Sequence, residues 1–426
     1  MAFLFGSAAK GKQTKESDID IAVYLKNYDE SMVYSLWNQL EDLLKRDVDL
    51  IILNNANATI AWEAIRGYML DVSMEAEDFR NVVYDIYKVR QERRALLKIK
   101  PNRKDGIMKY RKVGRYGLKV SEIALGSWLT YGGSYGQEQA NACVKKAYEL
   151  GINYFDTADV YGAGQTYPGA AEEILAKALK DFPRSSYVLA TKTFWPVGDG
   201  PNDRGLSRKH IMEQCHASLK RLNTDYVDIF YCHRYDPDTP IDEVMRALDD
   251  LVHQGKVLYV GVSEWSTAQI LDGVYTARQL NLNPIAINQP VYNMLNRYIE
   301  KEVMPICARE GIGLAVFSPL AQGVLTGKYK KGGGIPEGSR AADPKVGHFV
   351  QGYLTDENLD KVEKLKDIAA ENGLTVAQLA LAWILQHKEI SSVIIGASRP
   401  EQIEENVKAV GVTLDESTMN AIEEIL

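Results

Sequence analysis

Four side chains in the C-terminal three-quarters of this chain have the types and placement to do chemistry together. Asp156 and Tyr161 share the stretch FDTADVYG, Lys192 closes LATK, and His233 closes FYCH. A phenol ordinarily titrates at about 10, too high to exchange protons readily at neutral pH. An ammonium beside it favours the phenolate and lowers that value, while a carboxylate keeps the lysine charged and pointed. A histidine on the opposite side can hydrogen-bond a substrate oxygen. Such a set suits proton delivery to a carbonyl oxygen while a hydride arrives at its carbon. Singly, each residue has a plainer reading: turn former, solvated cation, satisfied polar group. Their joint placement at the ends of successive apolar runs favours chemistry.

The elements that must position them begin at Met108. From there the apolar runs are SEIALGS, NYFDTA, YVLATK, YVDIFYCH, VLYVGVS, IAINQ, GLAVFS and SSVIIGA. Each is short, rich in Val, Ile, Leu or aromatics, and bounded by turn residues, as buried parallel strands are. Helical patterns lie between most of them, for example SRKHIMEQCHASLKRL with Ser207 as N-cap. Eight strands with intervening helices over about 300 residues predict a (β/α)8 TIM barrel, with an open doubly wound sheet as the alternative. KYRKVGRYGLKV ahead of the first run reads as a hairpin that plugs the lower end. In a barrel, polar residues at the C-terminal ends of strands line the site. The four residues sit there.

At these motifs, residues 108–426 resemble the aldo-keto reductase superfamily. The resemblance rests on GRYGLKVSEIALGSW, GINYFDTADVYG, LATK, SLKRLNTDYVDIFYCHR, GVSEW, NQPVYN, FSPLAQGVLTGKY and SSVIIGAS with QIEEN behind it. The closest flavour is the branch of potassium channel β-subunits and bacterial glyceraldehyde-phosphate-type reductases, to which DRGLSRKHI is similar. It implies Tyr161 as general acid, Lys192 and Asp156 as its tuning pair, and His233 as the substrate-orienting group. It also implies an NADP(H) site. Ser263 and Gln289 would hold the nicotinamide carboxamide, and Phe317 would stack on the ring. Ser318, Leu320, Gln322 and Gly323 would line the pyrophosphate. Lys328, Arg340, Ser398, Gln402, Glu405 and Asn406 would surround the adenosine end. Trp128 and Trp195 are expected to wall a pocket for a small carbonyl substrate. Two departures bear on this. Glu264 stands where many relatives have Asn, and Gln402 stands where many have Arg, which leaves NADP against NAD open. GAGQTY at 162–167 lacks the third glycine of a dinucleotide fingerprint.

A second constellation lies at the start, in FGSAAKGKQTKESDIDIAV. If SDIDIAVYL is a strand, alternation puts Asp18 and Asp20 on one face, and DVDLIIL can bring Asp49 beside them. Three convergent carboxylates suit Mg²⁺, and two such ions can clamp a nucleoside triphosphate. Gly6-Ser7 at a strand-to-helix turn would offer backbone amides to phosphate oxygens. With that prefix, residues 1 to about 95 resemble the minimal nucleotidyltransferases of the polymerase-β-like superfamily, small α/β domains that often act as antitoxins on a HEPN-type partner. The resemblance implies Mg²⁺ and ATP as cofactors. Members usually carry a helix before this strand, and Ala8 stands where many have Arg, so binding without transfer stays open.

Between the two, residues 98–107 are basic, with Pro101 and Gly106, and read as a linker. The expected division is a domain at 1–97, the linker, and a domain at 108–426, with YDIYKVRQERRALLKIK closing the first as a helix. At 426 residues two domains are the natural reading. A net charge of −7 argues against general nucleic-acid binding. No apolar run reaches the length of a membrane span. Four scattered cysteines without a CxxC pair fit reduced thiols in a cytoplasmic protein.

Overall fold

The computed structural model describes residues 2–4, 19–25, 30–44, 48–53, 68–71, 108–133 and 136–426. The chain divides into two compact units, residues 1–99 and 100–426. Gly6, Ser7, Asp18, the expected closing helix at 84–100 and the linker at 98–107 lie outside the described residues.

In the first unit, β1 (Ala2–Leu4), β2 (Ile19–Val23), β3 (Val48–Ile52) and β4 (Tyr68–Asp71) form one sheet in the order β3-β2-β1-β4. Strand β1 runs antiparallel to both neighbours, whereas β2 and β3 are parallel. Helix Glu30–Leu44 supplies the crossover that a parallel pair requires. It is tied to the sheet where Trp37 Nε1 donates to the Val48 carbonyl at 2.7 Å. The apolar side chains of Ile21, Ala22, Val23 and Val48 are buried. Asp20 and Asp49 are register partners on the paired strands.

The second unit opens with the expected hairpin, β5 (Tyr110–Lys112) against β6 (Lys119–Ser121). Eight parallel strands follow: β7 (Ile123–Gly126), β8 (Tyr154–Asp156), β9 (Val188–Thr193), β10 (Val227–Cys232), β11 (Val257–Ser263), β12 (Ile285–Gln289), β13 (Gly313–Phe317) and β14 (Ile390–Ile395). Each pairs with the next, and β14 pairs back onto β7, closing a barrel. Closure excludes the open-sheet alternative.

Helices pack outside the strands, and their local chemistry explains where they start. Ser207 accepts from the His210 amide, capping helix Arg208–Leu222 as the sequence predicts. Helices Thr267–Leu280 and Val376–Gln386 each begin with a full capping box, Ser266 with Gln269 and Thr375 with Gln378. Helix Ile241–His253 carries Asp242 and Glu243 in its first turn and buries Val244, Met245, Ala247, Leu248 and Leu251. Among the described residues no single helix is long and apolar enough to cross a membrane. All four cysteines are free and buried.

Strand alternation sorts the barrel's interior. Tyr154, Ala190, Tyr231, Ile287 and Ala315 form its core together with Val113 and Val120 of the hairpin. The hairpin plugs the N-terminal end of the strands. The Arg115 amide donates to Gly311 O at 3.0 Å, and the Tyr116 hydroxyl to Ile285 O at 3.3 Å. Arg111 bonds the carbonyls of Leu385, His387 and Ile390 and pairs with the buried Glu122. Gly114 makes this fit possible. Its φ is +51°, and a Cβ there would lie 2.2 Å from Gly311 O. Gly114→Ala should therefore destabilise the barrel by about 2–4 kcal/mol, from left-handed strain plus the backbone clash. A urea-unfolding midpoint equal to that of the parent would contradict this packing.

Candidate active site

The same alternation that fills the core delivers the polar residues above it. Two positions beyond Tyr154 on β8 comes Asp156. Two beyond Ala190 on β9 comes Lys192, and two beyond Tyr231 comes His233, just after β10. Ser263, Gln289 and Phe317 end β11, β12 and β13 in the same way. Six side chains from six strands thus reach one level at the barrel's C-terminal mouth. Tyr161 comes from the loop after β8, packed with Ala158, Ala171 and Trp128. Its carbonyl accepts from the Ala171 amide at 3.2 Å, which anchors the loop to helix Ala170–Leu179.

The expected tetrad is assembled. Lys192 Nζ, with no exposed surface, donates to Asp156 Oδ2 at 2.6 Å, to Thr157 O at 2.7 Å and to Tyr161 Oη at 3.3 Å. The His233 ring stands edge-on to Tyr161, with centroids 5.6 Å apart. Trp128 lies 6.5 Å from Tyr161 and 6.3 Å from Phe317, and Trp195 lies 6.4 Å from His233. Both tryptophans therefore flank the tetrad.

The electrostatics differ from the expectation in one respect. Burial, reinforced by the Asp156 charge, holds the Tyr161 phenol well above its ordinary value, rather than the ammonium lowering it. Removing a phenolate from water outweighs the neighbouring cation. Burial also lowers Lys192, against the pull of Asp156. His233 falls well below the usual imidazole range because it is buried and faces Lys192 and Arg234. At neutral pH the phenol is protonated and the imidazole is neutral.

Of the expected cofactor residues, several are engaged with one another. The Ser263 hydroxyl donates to Gln289 O at 2.8 Å, and Gln289 Nε2 donates to Asp156 Oδ1 at 2.9 Å. Glu264, at φ +57°, accepts from the Val291 amide at 2.6 Å and the Tyr298 hydroxyl at 3.0 Å. After β13 the chain turns sharply, with positive φ at Ser318, Ala321, Gln322 and Gly323. Gln322 bridges Ser318 Oγ, at 2.6 Å, and Arg340, while Leu320 caps the following 3-10 turn. Three left-handed non-glycine residues in one loop mark stored strain. Near Gly323, Lys328 is lowered by burial and then by the charges of Arg340 and Arg399. Gln402 Oε1 accepts from the amide and hydroxyl of Ser398. Glu405 binds Gln378 and Lys408, and Asn406 is buried.

Sequence reasoning missed four residues. Arg399 joins the cation cluster, and its place beside Ser398 was a usable signal. Phe349 packs on Trp128 with centroids 5.1 Å apart, from a helix of one turn that leaves no periodic trace. Arg234 directly follows His233 and lies over the Trp195 ring. Asp159 was legible as a second acid inside FDTADVYG. It is fully buried, and neither carboxyl oxygen has a partner among the described residues. Burial pushes its carboxyl up to about 8, with Thr193 and Arg221 too weakly placed to hold it down.

Comparison with known proteins agrees with this geometry. Residues 122–426 match the aldo/keto reductase family, and residues 1–71 match the family described as polymerase beta, nucleotidyltransferase. A "Probable voltage-gated potassium channel subunit beta" of Arabidopsis thaliana is 45% identical over 324 residues, covering 75% of this chain and 97% of the relative. A protein of the same description from Oryza sativa subsp. japonica is 45% identical over 308 residues, covering 72% and 92%.

Asp159 gives a test of the site's electrostatics. Its folded-state pKa is raised, so the fold binds a proton that the unfolded chain releases above about 3.8. The resulting penalty grows from there and levels off above pH 8. Asp159→Asn should gain stability relative to the parent with rising pH, by roughly 1.4 kcal/mol per unit at most, and plateau. Urea unfolding at a series of pH values reads this. A difference that is constant with pH contradicts the buried, protonated carboxyl.

Proposed function

The chain belongs to the aldo/keto reductase family, and on that premise we propose that its barrel reduces small aldehydes or ketones to alcohols with NADPH. One observation carries the reading: Lys192 Nζ bridges Asp156 and the Tyr161 hydroxyl at the barrel's mouth, with His233 facing the same phenol. The residues present fit the dinucleotide. Phe317 offers a ring face beside Trp128. Lys328, Arg340 and Arg399 gather positive charge where a phosphate would relieve their repulsion. Arg399 supplies a cation that Gln402 does not, which favours NADP over NAD. When bound, NADPH supplies the hydride for the carbonyl carbon.

The chain's own residues handle the proton. Burial keeps Tyr161 protonated through neutral pH, the state a donor needs. Once the proton passes to the substrate oxygen, the phenolate is left beside the Lys192 ammonium, 3.3 Å away, which stabilises it. Asp156 holds that ammonium in place, and Gln289 holds Asp156. His233, neutral, orients the carbonyl oxygen without competing as an acid. Tyr161→Phe should lower kcat/KM by about 10²–10⁴-fold with NADPH binding intact. Full turnover in that variant would reject the assignment.

The channel-subunit description of the relatives favours a second reading, an NADP-binding subunit that contacts a membrane channel and senses redox state. Cofactor retention with negligible turnover across a panel of carbonyl compounds would select it. For the first unit we propose Mg²⁺-dependent nucleotidyl transfer to a protein partner of the HEPN type. The family match and the register pairing of Asp20 with Asp49 support it. Incubation with labelled ATP, Mg²⁺ and such a partner should label the partner, and Asp20→Ala should abolish labelling. Label persisting in the variant would remove Asp20 from the site.

A further inference from the structure

On the reading that the barrel reduces carbonyl compounds, we propose that Arg234 is an anion-recognition residue at the mouth of the site. The preferred substrates then carry a carboxylate or phosphate a few bonds from the carbonyl. Successive contacts lead outward from the proton donor. Tyr161 faces His233 with ring centroids 5.6 Å apart, and His233 faces Trp195 at 6.4 Å. The Arg234 guanidinium carbon lies 5.5 Å from the centre of the Trp195 ring. One guanidinium nitrogen donates to the His233 carbonyl, which fixes the plane of the fork. No other acceptor and no carboxylate in ion-pair range engages Arg234 among the described residues.

The acids around it have hydrogen-bond partners of their own. Glu264 is tied to the Val291 amide and the Tyr298 hydroxyl. Asp236, two residues further on, accepts from the Leu206 and Asp238 amides and the Thr239 hydroxyl. Asp156 is matched to Lys192. Arg234 is half-buried, and its contacts with the His233 carbonyl and the Trp195 ring place it beside the reacting centre. A planar fork held on an aromatic face with its remaining N–H groups open is the arrangement that takes a carboxylate or phosphate bidentately. Half-burial strengthens that attraction relative to a solvated arginine. Trp195, partly exposed, offers a flat wall for the carbons between the anion and the carbonyl.

The test compares matched pairs with NADPH: succinic semialdehyde against butanal, and glycolaldehyde phosphate against glycolaldehyde. The charged member of at least one pair should have the higher kcat/KM by about tenfold or more, and which pair wins separates carboxylate from phosphate. The preference should shrink between about 0.02 and about 0.5 M NaCl as screening grows. Arg234→Gln should bring the ratio near one, and Arg234→Lys should retain part of it. A parent ratio near one in both pairs, or a full ratio in Arg234→Gln, overturns the proposal and leaves the reductase reading standing. No turnover of any of the four compounds overturns both. Should Arg234→Gln fail to fold, a preference in the parent that is indifferent to salt overturns the proposal by itself.

Discussion

The second unit is organised around one buried ion pair. Lys192 has no exposed surface, and a lone ammonium there would lose its charge rather than its water. Asp156 Oδ2, 2.6 Å away, favours the charged form against that burial, and the amine donates further hydrogen bonds to Thr157 O and Tyr161 Oη. Asp156 in turn needs its other oxygen satisfied, and Gln289 Nε2 does so. Such a pair contributes little net stability, since desolvation cancels most of the attraction. What it provides is a fixed position. The three side chains come from β8, β9 and β12, and only a closed barrel brings those strand ends to one level.

Much of this was legible because its signals are local. Eight short apolar runs became eight strands, Ser207 became a cap, and KYRKVGRYGLKV became a hairpin, each decided within a few residues of sequence. Asp156, Lys192 and His233 were placed for the same reason, since period-two alternation carries a residue at a strand's end inward with its core neighbour two places before, whereas Tyr161 comes from a loop. In the first unit, alternation likewise paired Asp20 with Asp49, while Asp18, Gly6 and Ser7 lie beyond the described residues.

What sequence did not give depends on burial and on neighbours far along the chain. The direction of the Tyr161 shift is one case: the motif names the ammonium, but the dominant influence is desolvation by loops and strands from the whole barrel. Ser263 and Gln289 are another. Each was expected to meet a ligand, yet here each holds another member of the site: Ser263 meets Gln289 through the register of β11 against β12, and Gln289 meets Asp156 of β8 across the barrel. Arg234 and Phe349 come from segments without a period, so their type gave no clue to what they face.

The barrel's mouth treats charge in three distinct ways, and the differences follow from what each charge has to do. Lys192 must act while desolvated, so it is matched by a carboxylate within the protein. Asp159 lies too deep to be hydrated and has no partner among the described residues, so it keeps its proton. That choice matters to its neighbours, because an ionised Asp159 would hold the Tyr161 proton more tightly and make it a poorer donor. Lys328 is handled in a third way: among the described residues it meets no carboxylate, and Arg340 and Arg399 push against it. Like charges gathered at one place repel, and an anion arriving from outside relieves that repulsion. Leaving Lys328 crowded beside a strained loop makes sense where binding a phosphate supplies the missing charge.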